Sequence, residues 1–194
     1  MIKTRKAEID LIVEDVFEKY QITKTPYKFL NKICKKENIH LLPVNFSESV
    51  DGFIQNINGE MYIFYNSNKM QERQNFTIAH ELGHHFLKHI SFGEALTDSE
   101  DEFVSNKNEI EIEANYFASH FLLPKELIEK DFMNTITYSN GLKNSRIPLK
   151  IMSYGVSYKK WKIITSKLCK KYKISEQMLF YKLQELNLID SDLY

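Results

Sequence analysis

The decisive stretch of this 194-residue chain is NFTIAHELGH, which runs from Asn75 to His84. Apolar residues recur at helical spacing from here to Ile90, so we predict a helix over about residues 72–89. On such a helix His80 and His84 lie one turn apart on the same face, where two imidazoles can bind one small cation. The HExxH spacing is typical of a zinc site.

Glu81 lies beside the two histidines in sequence but is rotated about 100° around the helix. Its carboxylate can therefore face a water molecule bound to the metal instead of the metal itself. We interpret Glu81 as a general base, which accepts a proton while this zinc-bound water attacks a peptide carbonyl.

A catalytic zinc ion needs a third protein ligand and keeps one position for water. The longer motif HExxHxxGxxH would need Gly at position 87 and His at position 90, but the chain has Leu87 and Ile90. The alternative is an acid from a later helix. The stretch EIEIEANYFA, residues 109–118, offers three acids at the start of a predicted helix that ends near Leu122.

Glu111 is the acid that helix geometry selects, because it shares one face with Ala114 and Asn115, and the alanine allows close packing against the first helix. Asn115, one turn further on, is predicted to hydrogen-bond the far nitrogen of a ligating histidine. Glu109 and Glu113 are interpreted as solvated acids at a helix start. The predicted site thus holds one zinc ion.

These two blocks of sequence carry a family resemblance. Residues 74–84, residues 111–118 and the following Leu122-Leu123-Pro124 resemble the ImmA/IrrE family of zinc metallopeptidases. Such peptidases occur in phages, mobile elements and bacteria, often beside a helix-turn-helix repressor that the peptidase cleaves or otherwise relieves.

The resemblance implies zinc on His80, His84 and Glu111, with Glu81 as general base, which are the four residues that spacing selects. It also implies a protein substrate. We therefore expect a zinc-dependent endopeptidase that cleaves a specific regulatory protein, with a helix-turn-helix repressor as the favoured substrate.

The last third of the chain is basic, with eleven Lys or Arg residues against one acid, Glu176, between positions 143 and 184. Two amphipathic helices are predicted there, with Ser175 as the N-cap of the second. A basic helix pair fits a helix-turn-helix, so the alternative function is a metal-bearing sensor or DNA-binding regulator with little or no proteolysis. Family members end with a similar segment, which makes direct DNA binding the less favoured interpretation.

The order of predicted elements indicates an α+β fold, in which a helical zincin-like core packs on a small antiparallel or mixed sheet and a helical region follows. Asn58-Gly59 is a hairpin signal between two of the strands. Helices are expected over about 7–20 and 26–37, and strands over about 39–44, 52–56 and 61–65.

We expect an N-terminal helix over residues 1–24, a peptidase core over 25–135 and a basic C-terminal region over 136–194. The acidic stretch from Ser91 to Asn108 is predicted to be a loop. The chain has no apolar run of about 18 residues and begins with a charged segment, so neither a membrane span nor a signal peptide is predicted. These features favour a cytoplasmic protein.

Overall fold

The computed structural model describes residues 3–89, 100–140 and 156–189. The chain divides into two compact units, Met1–Leu122 and Leu123–Tyr194. The three predicted domain ranges stay a prediction. None of the helices in the described part of the chain is long and apolar enough to span a membrane.

In its described residues, the first unit combines four α-helices with a three-stranded sheet. A short 3-10 turn, Pro26–Phe29, leads into the second helix. The helices are α1 (Lys3–Tyr20), α2 (Leu30–Lys36), α3 (Gln71–Phe86) and α4 (Glu100–Leu122). The strands are β1 (Ile39–Val44), β2 (Gly52–Ile57) and β3 (Glu60–Asn66).

The sheet is mixed, with strand order β1-β3-β2. β1 runs parallel to β3, and β2 runs antiparallel to it. Asn58 and Gly59 have φ values of 54° and 90°, as a two-residue type I′ hairpin requires. The predicted α+β fold and the hairpin are therefore confirmed. The predicted loop over 91–108 is wrong for its last nine residues, because α4 already begins at Glu100.

Two glycines let α3 approach its neighbours closely. A Cβ atom at Gly83 would lie 3.1 Å from the ring of Phe117 and 3.3 Å from the Cα atom of Ala114, both on α4. A Cβ atom at Gly52 of β2 would lie 2.6 Å from the side chain of Thr77 on α3. Helix α3 is thus held tightly between α4 and the edge of the sheet, which fixes the position of its histidines.

The second unit is helical in its described part, with α5 (Lys125–Asn140), α6 (Val156–Tyr172) and α7 (Glu176–Glu185). Its buried core includes Phe132, Ile164, Leu179 and Leu183. The backbone N–H of Met178 donates a hydrogen bond of 3.2 Å to the hydroxyl of Ser175, which confirms the predicted N-cap.

Candidate metal centre

The three residues predicted to bind metal meet at one point of the first unit. The Nε2 atoms of His80 and His84 lie 3.0 Å apart on successive turns of α3. Glu111 on α4 places one carboxylate oxygen 3.2 Å from Nε2 of His80 and the other 3.6 Å from Nε2 of His84. This group could hold a metal ion.

The distances between the donor atoms fit a zinc ion. Bonds of about 2.0 to 2.1 Å in a tetrahedral site put neighbouring ligand atoms about 3.3 Å apart. The two Nε2 atoms are 3.0 Å apart, and each lies 3.2 or 3.6 Å from its nearer oxygen of Glu111, so the separations are close to this value. Two imidazoles and one carboxylate are also the donor set of catalytic zinc sites, which keep a further position for water.

The surroundings of His80 direct one lone pair towards this point. Oδ1 of Asn115 lies 3.0 Å from Nδ1 of His80, the contact for which Asn115 was selected. Because an amide oxygen only accepts hydrogen bonds, Nδ1 carries the ring proton and Nε2 keeps its lone pair. That lone pair faces the carboxylate of Glu111, and a cation between the two would satisfy both.

Both histidines favour the neutral form that metal binding requires. Burial lowers the pKa of His84 to about 3, and the neighbouring His80 and His89 add to the effect. Burial also lowers the pKa of His80, while the charge of Glu111 opposes the change. The site therefore resists protonation, which would compete with a metal ion for the same lone pairs.

Glu81 is buried beside this group, with 6% of its surface exposed. It lines a cleft of about 670 Å³ together with both histidines and Glu111. The backbone N–H of Ile54 in β2 donates a hydrogen bond to its carboxylate. Burial, and then the charge of Glu111, raise the pKa of Glu81 to about 8. A bound cation would oppose this shift.

Glu113 and Arg5 lie behind the metal ligands, and the sequence pattern does not predict this. Glu113 is only 14% exposed and contacts Arg5 of α1 at 2.7 Å and His89 at 3.1 Å. The prediction that Glu113 is solvated is therefore wrong. Helix α1 packs on α4 and supplies the partner from a position 108 residues earlier, and no local pattern signals this pairing.

A helix that carries HExxH, packed against a second helix that supplies a carboxylate, is the arrangement typical of metallopeptidases. A comparison with family models matches residues 34–184 to the IrrE N-terminal-like domain of peptidase family M78. The chain belongs to this family, and the predicted family resemblance is confirmed. A comparison with curated proteins found no match. Membership of a peptidase family implies a protein substrate.

Proposed function

We propose that this protein is a zinc-dependent endopeptidase that cleaves one regulatory protein, with a helix-turn-helix repressor as the favoured substrate. The observation that carries the proposal is the convergence of His80, His84 and Glu111 in a cleft that also contains the buried Glu81. The repressor is proposed from the family resemblance.

The chemistry divides between the metal and Glu81. A zinc ion bound to the three ligands would polarise a water molecule and the peptide carbonyl. Glu81 takes a proton from the attacking water, whose oxygen forms a bond to the carbonyl carbon. Glu81 then delivers that proton to the amide nitrogen as the C–N bond breaks, so it serves first as base and then as acid. Burial raises the pKa of Glu81 and a bound cation lowers it again, and these opposing effects suit a group that must both accept and return a proton.

The edge of β2 supports the proposal of a peptide substrate. Among the residues that the structure describes, β2 pairs only with β3, and the N–H of Asn66 donates to the carbonyl of Asp51 at 2.8 Å. In an antiparallel ladder the backbone groups alternate in direction, so those of Gly52, Ile54 and Asn56 point away from β3. The N–H of Ile54 is bonded to Glu81, which leaves the carbonyl of Ile54 and the backbone groups of Gly52 and Asn56. Gly52 and Ile54 line the cleft, where an extended peptide can add along these groups as a further strand.

The alternative of a DNA-binding regulator has less support. A helix-turn-helix reads DNA with exposed side chains of its second helix, and α7 has one basic residue, Lys182, which is only 1% exposed. On α6, Lys162 pairs with Glu176 at 2.7 Å and Lys171 pairs with Asp131. Ion pairs of this kind reduce the charge available to phosphates.

Metal content is the first test of the proposal. We expect about one zinc per chain in the wild type by elemental analysis, and loss of zinc in His80→Ala and Glu111→Ala. Wild-type protein that stays metal-free after dialysis against zinc would contradict the proposal.

Cleavage is tested by adding purified wild type or Glu81→Gln to a bacterial proteome and sequencing new peptide amino termini by mass spectrometry. Glu81→Gln is the matched control, because it should keep the zinc and lose the proton acceptor. Termini that appear with both proteins would refute a role for Glu81.

A further inference from the structure

A line of hydrogen bonds runs away from the metal centre behind His84. Nδ1 of His84 lies 3.1 Å from Nδ1 of His89, and Nε2 of His89 lies 3.1 Å from Oε2 of Glu113. The same carboxylate oxygen accepts a hydrogen bond of 2.7 Å from Arg5. The side chain of His89 is 6% exposed. Three elements, α1, α4 and the turn that ends α3, thus contribute to one partly buried polar line.

The end of α3 brings His89 to this position. The N–H of His89 donates to the carbonyl of His84 at 2.9 Å, and the N–H of Lys88 donates to the carbonyl of His85 at 3.2 Å. Lys88 has a φ of 59°. These bonds and this left-handed residue define a Schellman motif. The chain therefore turns back, and His89 leaves the helical path on which it would have faced away from His84.

The proton positions required by a metal ion at one end of this line and by the carboxylate of Glu113 at the other end are consistent with each other. A metal ion at Nε2 of His84 requires a lone pair there, so the ring proton sits on Nδ1 and is donated to His89. His89 then accepts at Nδ1 and must carry its own proton on Nε2. That proton is donated to Glu113, which as a carboxylate can only accept. No group in the line is left with two donors or two acceptors facing each other.

We propose that His89 is a positioning residue for the metal centre, and that Glu113 and Arg5 hold it in the tautomer that accepts from His84. His89 fixes the ring plane of His84 and keeps the lone pair of its Nε2 atom aimed at the ion. Asn115 plays the same role for His80, so each imidazole ligand donates a hydrogen bond to its own acceptor. This inference rests on the metal site proposed above and assigns the residues that support it.

His85 provides an internal control for the effect of His89. Nε2 of His85 lies 3.1 Å from Oε2 of Glu37, the same distance and the same chemistry as the contact between His89 and Glu113. Both histidines are partly buried near the end of α3. His85 contacts Glu37 and no metal ligand. Replacing His85 therefore shows how far general damage to this end of the helix changes zinc binding.

The test measures the zinc dissociation constant by competition with a chromogenic chelator, and the visible ligand-field absorption of the cobalt(II)-substituted protein. His89→Phe keeps the ring but removes the acceptor, and we expect zinc binding weakened by about 10- to 100-fold with an altered cobalt spectrum. His85→Phe should bind zinc within about 3-fold of the wild type. His89→Asn should recover most of the affinity, because Oδ1 of Asn can accept near the place of Nδ1.

A second variant keeps the test decisive if His89→Phe does not fold. Glu113→Gln still accepts from His89 but no longer holds the charge of Arg5, and we expect weaker zinc binding than in the wild type and in His85→Phe, with a native circular dichroism spectrum. Unchanged zinc affinity and cobalt spectrum in these variants would overturn the role of His89, as would an equal loss in His85→Phe. Wild-type protein that binds no zinc would overturn the metal site and this inference together. If the wild type binds zinc and the variants bind it equally well, only the role of His89 is overturned.

Discussion

Replacing Glu81 with Gln should remove a pH-dependent loss of stability from the metal-free protein. Burial raises the pKa of Glu81 from 4.5 to about 8, so the folded protein keeps this proton in a range where the unfolded chain releases it. Unfolding then releases a proton between these two values, and rising pH favours the unfolded state. Gln cannot release a proton, so the variant lacks this contribution.

The comparison of wild type with Glu81→Gln between pH 6.5 and pH 8 isolates the effect. Burial lowers the pKa of His84 from 6.5 to about 3, and it also lowers the pKa values of His80 and His89, so unfolding takes up protons on these histidines and makes stability rise with pH until the unfolded histidines are fully neutral. This opposing contribution is common to both proteins and cancels in their difference. Glu81 is half ionised in the folded protein at pH 8, so the proton that unfolding releases accounts for about 1.6 kcal/mol of lost unfolding free energy between pH 6.5 and pH 8, at a limiting slope of about 1.4 kcal/mol per unit.

Urea unfolding of chelator-treated protein at pH 6.5 and pH 8 gives the measurement. Across this interval the stability of wild-type protein should fall by about 1.6 kcal/mol relative to that of Glu81→Gln, because the histidine contributions are common to both proteins. Restoring zinc should flatten the wild-type profile, because a nearby cation favours the carboxylate. Parallel profiles for the two metal-free proteins would refute the assignment of a raised pKa to Glu81.

Three further predictions concern the elements around the site and the second unit. Gly83→Val should lower the free energy of unfolding by about 1 to 3 kcal/mol and weaken zinc binding, because the added atoms push against Phe117 and the backbone of α4; an unchanged urea midpoint would contradict this. Burial raises the pKa of Glu37, but hydrogen bonds from Lys19 and Tyr20 outweigh it and lower the pKa to about 2, so this group stabilises the fold above pH 4.5 and loses that effect as the pH falls towards 2; acid unfolding of Glu37→Gln should be less steep than that of the wild type. Ser175→Ala removes the N-cap of α7 and should cost about 1 kcal/mol in thermal or urea unfolding, whereas Ser175→Asp should restore it.

Much of the metal site can be predicted from the short-range spacing of residues in the sequence. The i, i+4 relation of His80 and His84 and the shared face of Glu111 and Asn115 follow from 3.6 residues per turn, and the structure places these side chains accordingly. The hairpin at Asn58-Gly59 is equally local, since its two positive φ values favour these residue types.

The contacts of His89 and Glu113 depend on where a helix ends and on packing between distant elements, and residue spacing does not encode either. If the helix continued to His89, that residue would lie about 180° around it from His80. Instead α3 ends at Phe86, and Lys88 adopts a left-handed conformation. Position 88 is not a glycine, so the sequence gives no signal for this turn. The rotation of Glu113 away from Glu111 on the helix predicts a solvated carboxylate, whereas the contact with Arg5 of α1 buries it. The parallel pairing of β1 with β3 is likewise a tertiary choice.

The outward edge of β2 also bears on which proteins this cleft can accept. A strand edge recognises a backbone whose own N–H and C=O groups are unpaired, so a segment inside a helix or sheet of the target must first come loose. We expect the turnover of a folded target to follow the population of that opened form, with about a tenfold slower cleavage for each 1.4 kcal/mol of local stability at the scissile segment. A ligand or partner that loosens the target would then accelerate its destruction without touching the peptidase.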